Sequence, residues 1–175
     1  MRTFSSLLII FGIITLIFSA YLVFQRINPY RLAFASAPQI QNSASLNTPI
    51  RIVIGDLKID APIRSAQKDG KKWQTFTDAV SYLSTSPAPG EEGNSILYGH
   101  NWKNLLGDLK KAKVGQKITV KYVDGSEKSF ITKYIQEVKP DQTSILDKSS
   151  DKRITLYTCS GFLDTKRFVV VATLI

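Results

Sequence analysis

Ile154-Thr155-Leu156-Tyr157-Thr158-Cys159, then the turn pair Ser160-Gly161, then Arg167-Phe168-Val169-Val170-Val171-Ala172-Thr173-Leu174, close a chain of 175 residues. Both runs are rich in β-branched and aromatic residues, which suit a pleated surface, so each reads as a strand. Six similar runs precede them, at residues 50–54, 57–63, 79–83, 95–98, 117–122 and 129–138, punctuated by turn residues. Many short strands with few helical signals predict an all-β fold, an antiparallel sandwich or barrel. Asp124-Gly125, between Ile118-Thr119-Val120-Lys121-Tyr122 and Phe130-Ile131, is a hairpin signal, because both residues tolerate the positive φ of such turns. Residues 104–111 are the one helical candidate within the domain. Residues 139–152 are polar, contain Pro140 and read as a long loop with one helical turn at 143–146. No internal repeat is visible.

The other end of the chain has a different character. Residues 4–24 carry no charge and are dominated by Leu, Ile and Phe. At about 1.5 Å per residue this run spans a hydrocarbon core of roughly 30 Å. It exceeds the apolar core of a cleaved signal peptide, and the small-residue sites at Ala33-Phe34-Ala35 and Ala35-Ser36-Ala37 lie well beyond its end. We therefore expect an uncleaved anchor at 1–25, with cleavage as the alternative. A linker follows at 26–49, interrupted by Pro29, Pro38 and Pro49, and the folded domain occupies 50–175. The tail before the anchor is too short to hold a domain, so the folded part is expected outside the cell membrane.

The chain has 23 basic and 14 acidic residues. Three of the basic groups, Arg2, Arg26 and Arg31, flank the anchor, which leaves 20 against 14, a net +6 for the remainder. Dispersed lysines of this kind make a solvated surface or favour an anionic membrane or wall polymer. No nucleic-acid motif accompanies them, and no nucleic acid is expected as a partner.

The single cysteine, Cys159, and single histidine, His100, each end an apolar run. One cysteine in an exported chain leaves a buried thiol, an intermolecular bridge or a nucleophile. One histidine excludes a zinc site built from several His or Cys ligands. A thiol becomes a nucleophile when a base or cation favours its thiolate, and an imidazole can serve as that base and then protonate a leaving amine. A guanidinium such as Arg167 can stabilise the oxyanion of amide attack. Taken singly, each has a plain alternative: a core thiol, a structural histidine, a surface arginine paired with Asp164.

Thr155-Leu156-Tyr157-Thr158-Cys159, with Arg167 opening the next strand, resembles the signature of the sortases, the cysteine transpeptidases of bacterial cell surfaces. Pro87-Ala88-Pro89-Gly90-Glu91-Glu92-Gly93-Asn94 leading into Ile96-Leu97-Tyr98-Gly99-His100 is similar to that family's approach to its catalytic histidine. The opening Ile54-Gly55-Asp56-Leu57-Lys58-Ile59-Asp60-Ala61-Pro62-Ile63 is similar too, so the resemblance covers 50–175. It implies an eight-stranded sortase-type β-barrel with short helical segments, preceded by one transmembrane helix. It further implies that Cys159 attacks a sorting-signal amide to give a thioester. His100 would move the proton, Arg167 would hold the substrate backbone and oxyanion, and Thr158 would line the site. An amine of a peptidoglycan precursor or a pilin would then release the acyl group. No cofactor is expected, since Glu91-Glu92 with Asp141 is too thin a cluster for the calcium site of some members. Subclass, sorting motif and acceptor are left open.

Two rivals differ in class. An L,D-transpeptidase would place Ser-His-Gly-Cys at the nucleophile, where this chain has Tyr157-Thr158-Cys159. A membrane-tethered β-module for surface binding would leave Cys159 buried and His100 incidental.

Overall fold

The structure, a computed structural model, describes residues 2–27, 32–34, 48–69 and 72–175. Most of the 26–49 linker, with the sites around Ala35, Ser36 and Ala37, lies outside the described residues. The apolar N-terminal run forms helix α1 (Arg2–Ile27). Its stretch Ser6–Gln25, with mean hydropathy 2.7, is long and apolar enough to cross a bilayer. The Thr15 hydroxyl donates to Gly12 O at 2.8 Å within the helix, so this polar group needs no outside partner.

The strands are β1 (Pro49–Ile54), β2 (Ile59–Ala66), β3 (Lys68–Asp69), β4 (Lys72–Trp73), β5 (Val80–Leu83), β6 (Gly93–Gly99), β7 (Lys117–Tyr122), β8 (Glu127–Val138), β9 (Lys152–Ser160) and β10 (Lys166–Leu174). Eight of them close a barrel in the order β1-β2-β5-β6-β9-β10-β8-β7, and β3 with β4 forms a separate two-stranded pair. The eight expected runs are these eight barrel strands. Their pairing departs from the antiparallel expectation twice, because β2 with β5 and β6 with β9 run parallel. Parallel neighbours need crossover connections, and the chain supplies them as residues 67–79 and as the 100–151 excursion through β7 and β8. The Asp124-Gly125 hairpin forms as expected: Gly125 has φ 82° and its N–H donates to Tyr122 O at 3.1 Å.

Alternation along the strands sorts side chains into two layers. Ile52, Ile54, Leu97, Ile118, Val120, Phe130, Ile154, Leu156, Val170 and Ala172 meet in one buried cluster, the barrel interior. Ile96, Tyr98, Tyr157, Cys159, Val169 and Val171, on the alternate positions of β6, β9 and β10, form a second cluster outside it. That outer face is roofed by Leu32 and Phe34 from the N-terminal segment, by Val138 at the end of β8 and by Leu146 from the middle of the 139–152 loop. The linker reading therefore misses a structural contribution, since Leu32 is fully buried and Phe34 is 2% exposed. Their apolar side chains complete a core that β6, β9 and β10 leave open.

The helix expected at 104–111 is a correction. Only a 3-10 segment forms there, Gly107–Lys111. The N–H groups of Leu105 and Gly107 both turn back to Trp102 O, at 3.0 and 2.8 Å, and Leu106 N–H reaches His100 O at 3.2 Å. A turn this tight leaves no room at Gly107, where a Cβ would lie 2.7 Å from Trp102 O. The 139–152 loop holds a 3-10 turn at Thr143–Leu146, and Asn94 Nδ2 pins it by donating to Ile145 O and Asp147 O at 3.1 and 3.2 Å.

Candidate active site

Strand register decides whether the three chemistry-bearing residues meet. Gly99 of β6 lies opposite Thr158 of β9, so His100, one residue beyond, is abreast of Cys159. Cys159 in turn lies opposite Arg167 of β10. Neighbouring strands are spaced about 4.8 Å apart, so the three residues make one row across three adjacent strands. Alternation puts them on one face: Tyr98, Tyr157 and Val169, each two residues along or one register step below, belong to the outer cluster that also contains Cys159. The row is enclosed, with exposures of 6% for His100, 4% for Cys159 and 2% for Arg167.

Thr158 is not on that face. It sits on the alternate side of β9, fully buried, and its hydroxyl donates to Gly99 O at 2.8 Å. Its visible role is to lock the end of β6 against β9, one residue short of both His100 and Cys159.

Each side chain is held by local contacts. The His100 ring stacks on Trp102, with centroids 4.3 Å apart and planes 12° apart. Burial holds the imidazole below its ordinary pKa, and the Asp164 carboxylate partly opposes this. Arg167 Nη1 donates to Asp164 O and Lys166 O at 3.0 and 2.9 Å, and Nη2 donates to Ala33 O at 3.2 Å. Its Nε, fully buried, has no hydrogen-bond partner among the described residues. Nε and Nη2 form the side-on fork of a guanidinium, the edge that receives a carbonyl or carboxylate oxygen. The Ala33 carbonyl therefore takes one arm of that fork and leaves Nε open. Phe34 packs edge-on against Tyr157 at 4.9 Å, and Tyr157 stacks on Tyr98 at 5.5 Å, forming the floor beside Cys159.

The β9–β10 turn ties these parts together. Gly161, Leu163 and Asp164 have φ of 76°, 49° and 59°. Glycine suits the first of these positions, whereas Leu163 and Asp164 carry the strain that left-handed backbone imposes on side-chain-bearing residues. Asn101 Nδ2 donates to Asp164 Oδ1 at 3.2 Å, so the residue after His100 is bonded to the turn that also holds Arg167. The sequence offered Asp164 as an ion-pair partner of Arg167. In the structure the guanidinium takes the backbone carbonyl of Asp164, and the Asp164 carboxylate is left for Asn101 and the neighbourhood of His100. Asn101, Tyr157 and residues 32–34 went unread as site elements. Nothing local in the sequence marks them, because their roles come from register and from a segment 134 residues away from Arg167. Among the described residues, no group of three or more His, Cys, Asp or Glu side chains converges as a metal site.

A family model described as the sortase domain matches residues 52–175, which is more than half of the chain. The chain belongs to the sortase family. Sortase A of Listeria monocytogenes serovar 1/2a is 33% identical over 87 residues, a match covering 47% of this chain and 39% of that protein. The chain thus spans well under two thirds of that sortase. Among solved sortases, sortase C1 from Streptococcus agalactiae is 28% identical with a TM-score of 0.62, covering 72% of this chain and 66% of that one. A lid mutant of sortase A from Corynebacterium diphtheriae shares the fold at 24% identity and a TM-score of 0.64, covering 75% and 73%. The eight-stranded sortase-type barrel implied by the resemblance is the barrel observed.

Proposed function

We propose that this sortase-family chain is a membrane-anchored cysteine transpeptidase, with Cys159 as nucleophile, His100 as proton carrier and Arg167 as oxyanion and backbone ligand. The observation that carries the reading is the single row formed by these residues on the outer face of β6, β9 and β10. With its pKa depressed by burial, His100 is mostly neutral at neutral pH and can take the thiol proton as Sγ attacks an amide carbonyl. The C–S bond forms, the carbonyl π pair moves to oxygen, and that oxyanion is received by Nε of Arg167, the donor the Ala33 carbonyl leaves open. Collapse breaks the C–N bond, and the imidazolium gives its proton to the leaving amine, which leaves a thioester. An incoming amine then attacks the thioester, His100 takes the amine's proton, and collapse returns the thiolate to be reprotonated. Thr158 and Asp164 act as positioning residues, the first through Gly99 and the second through Asn101 and Arg167.

The substrate is a sorting-signal peptide of secreted proteins, and the acceptor is an amine of the cell wall or a pilin subunit, as family membership suggests. Helix α1 supports placement at the membrane, with the barrel outside the cell. Tethering raises the effective concentration of enzyme near membrane-held substrate.

The test uses the full chain in detergent micelles with a panel of sorting-signal peptides and a small amine acceptor. A covalent adduct at Cys159 detected by mass spectrometry, together with amine-dependent product, supports the reading. An active Cys159→Ala protein would remove Cys159 as the nucleophile and sink this mechanism, whereas a folded wild type inert to every peptide would move the assignment to a non-catalytic binding module.

A further inference from the structure

Away from the catalytic row, an open cavity of about 950 Å³ lies between the Gly55–Leu57 turn, the Gly107–Lys111 segment and the turn before β7. Its charged lining is Lys58, Lys103, Lys111 and Lys113 against Asp56 and Asp108. Lys111 Nζ is 2.7 Å from Asp108 Oδ1, which satisfies one pair. Among the described residues, Lys58, Lys103 and Lys113 make no salt bridge. Four exposed lysines lining one cavity with two aspartates leave an excess of two positive charges. Like charges held together repel, and an anionic ligand is what relieves them. Lys58 is placed by its backbone: it is a left-handed residue, φ 53°, whose N–H closes the turn onto Gly55 O at 3.0 Å. Asp108, held below the usual carboxylate range first by Lys111 and further by Lys103 and Lys58, reports that three of these cations converge.

We propose that this cavity is a binding site for a phosphate-ester anion carrying at least two negative charges. Lysine ammonium groups act as mobile point charges that fit phosphate oxygens arrayed in three dimensions, whereas planar carboxylate recognition favours arginine forks. The volume accommodates a diphosphate with its flanking groups. The position gives the site a use. Lys103 follows His100 by three residues, a Cα separation of at most about 10 Å, and Trp102 between them stacks on the His100 ring. A phosphorylated acceptor gripped there would carry its amine toward the base that must deprotonate it. That use rests on the transpeptidase reading, whereas the anion site does not.

The same phosphate chemistry could come from an anionic phospholipid headgroup or from a phosphorylated ligand outside the bilayer, and the experiment separates them. The full chain is placed in phosphatidylcholine nanodiscs and its lysines are acetylated with an amine-reactive ester, with each site quantified by mass spectrometry. Added inorganic pyrophosphate should lower labelling of Lys58, Lys103 and Lys113 about fivefold at about four times its dissociation constant, since the free fraction is 1/(1 + [L]/Kd). Exposed Lys133 and Lys148 should be unchanged. In the double variant Lys103→Gln, Lys113→Gln, protection of Lys58 should disappear. Protection in cardiolipin-containing nanodiscs, whose headgroup carries two phosphate charges, without pyrophosphate would support the site and name the headgroup as its source; protection by pyrophosphate alone would support it and name a ligand outside the bilayer. No protection in either arm, or protection spread equally to Lys133 and Lys148, overturns the proposal. A chain that forms no thioester but shows the footprint would refute the transpeptidase reading and leave this site standing.

Discussion

Arg167 is the residue with most to lose from a conservative change. Its guanidinium serves the carbonyls of Asp164, Lys166 and Ala33 while keeping Nε in reserve, and a lysine ammonium at that position cannot satisfy these directions together. We expect Arg167→Lys to lower kcat for peptide transfer by about 100- to 1,000-fold, the usual cost of losing an oxyanion donor. Unchanged kcat would remove Arg167 from the chemistry. Asp164 bears on His100 by charge, so Asp164→Asn should let the imidazole pKa fall further while the amide oxygen still accepts from Asn101. The acid limb of the kcat/KM profile should move to lower pH, and an unmoved limb would mean the carboxylate does not act on the imidazole. His100 also links pH to folding. The unfolded chain binds a proton near the ordinary histidine value of about 6.5, which the buried native imidazole resists. Stability is therefore full above that value and declines as pH falls toward the depressed native pKa. Urea midpoints measured from pH 7.5 down to 5 should fall, and less steeply in His100→Gln. The candidate residues stood out in the sequence because the chain has a single thiol and a single imidazole, while Arg167 was singled out by opening the strand after Cys159. Asp164 was visible as a partner for Arg167 but not as a link to His100, because that link runs through Asn101 and a left-handed turn.

At the scale of elements, the strands could be read from composition, while their order around the barrel could not. Period-2 patterning reports that a run is a strand, and it carries no information on whether its neighbour is parallel. That is why β6 beside β9, the pairing that brings His100 abreast of Cys159, had to come from the structure. The 104–111 segment misled because Leu105, Leu106 and Leu109 have helical spacing, yet they are buried by a chain of turns folded back on Trp102 and His100. Residues 32–34 were invisible for a different reason, since only the outer cluster shows what they cover. Their cover is testable. Phe34→Ala removes an aromatic face from Tyr157 and loosens the segment whose carbonyl occupies Arg167. Alkylation of Cys159 by a bulky maleimide should become several-fold faster at unchanged pH, read by intact mass. An unchanged rate would mean that residues 32–34 do not limit access to the thiol.

At the scale of the whole molecule, a closed barrel has no free edge and one shared interior, so its parts are expected to be lost together. Leu156→Ala, at the centre of the interior cluster and on the site strand, should cost about 2–5 kcal/mol. Near-UV circular dichroism and Cys159 accessibility should report the same denaturation midpoint, and two separate transitions would contradict a single cooperative unit. Closure also sets when the site comes into existence. The hydroxyl of Thr158 and the carbonyl of Gly99 that it clasps are 59 residues apart in sequence, with β7 and β8 between them. A contact of that span forms late, after a long loop has been entropically closed. Until that span is closed, the Cys159 thiol has no imidazole beside it, whereas Arg167, eight residues on across the β9–β10 turn, can come opposite it early. On the transpeptidase reading proposed above, the thiol gains its base only in the last steps of folding, which delays its reactivity until β6 and β9 have found each other.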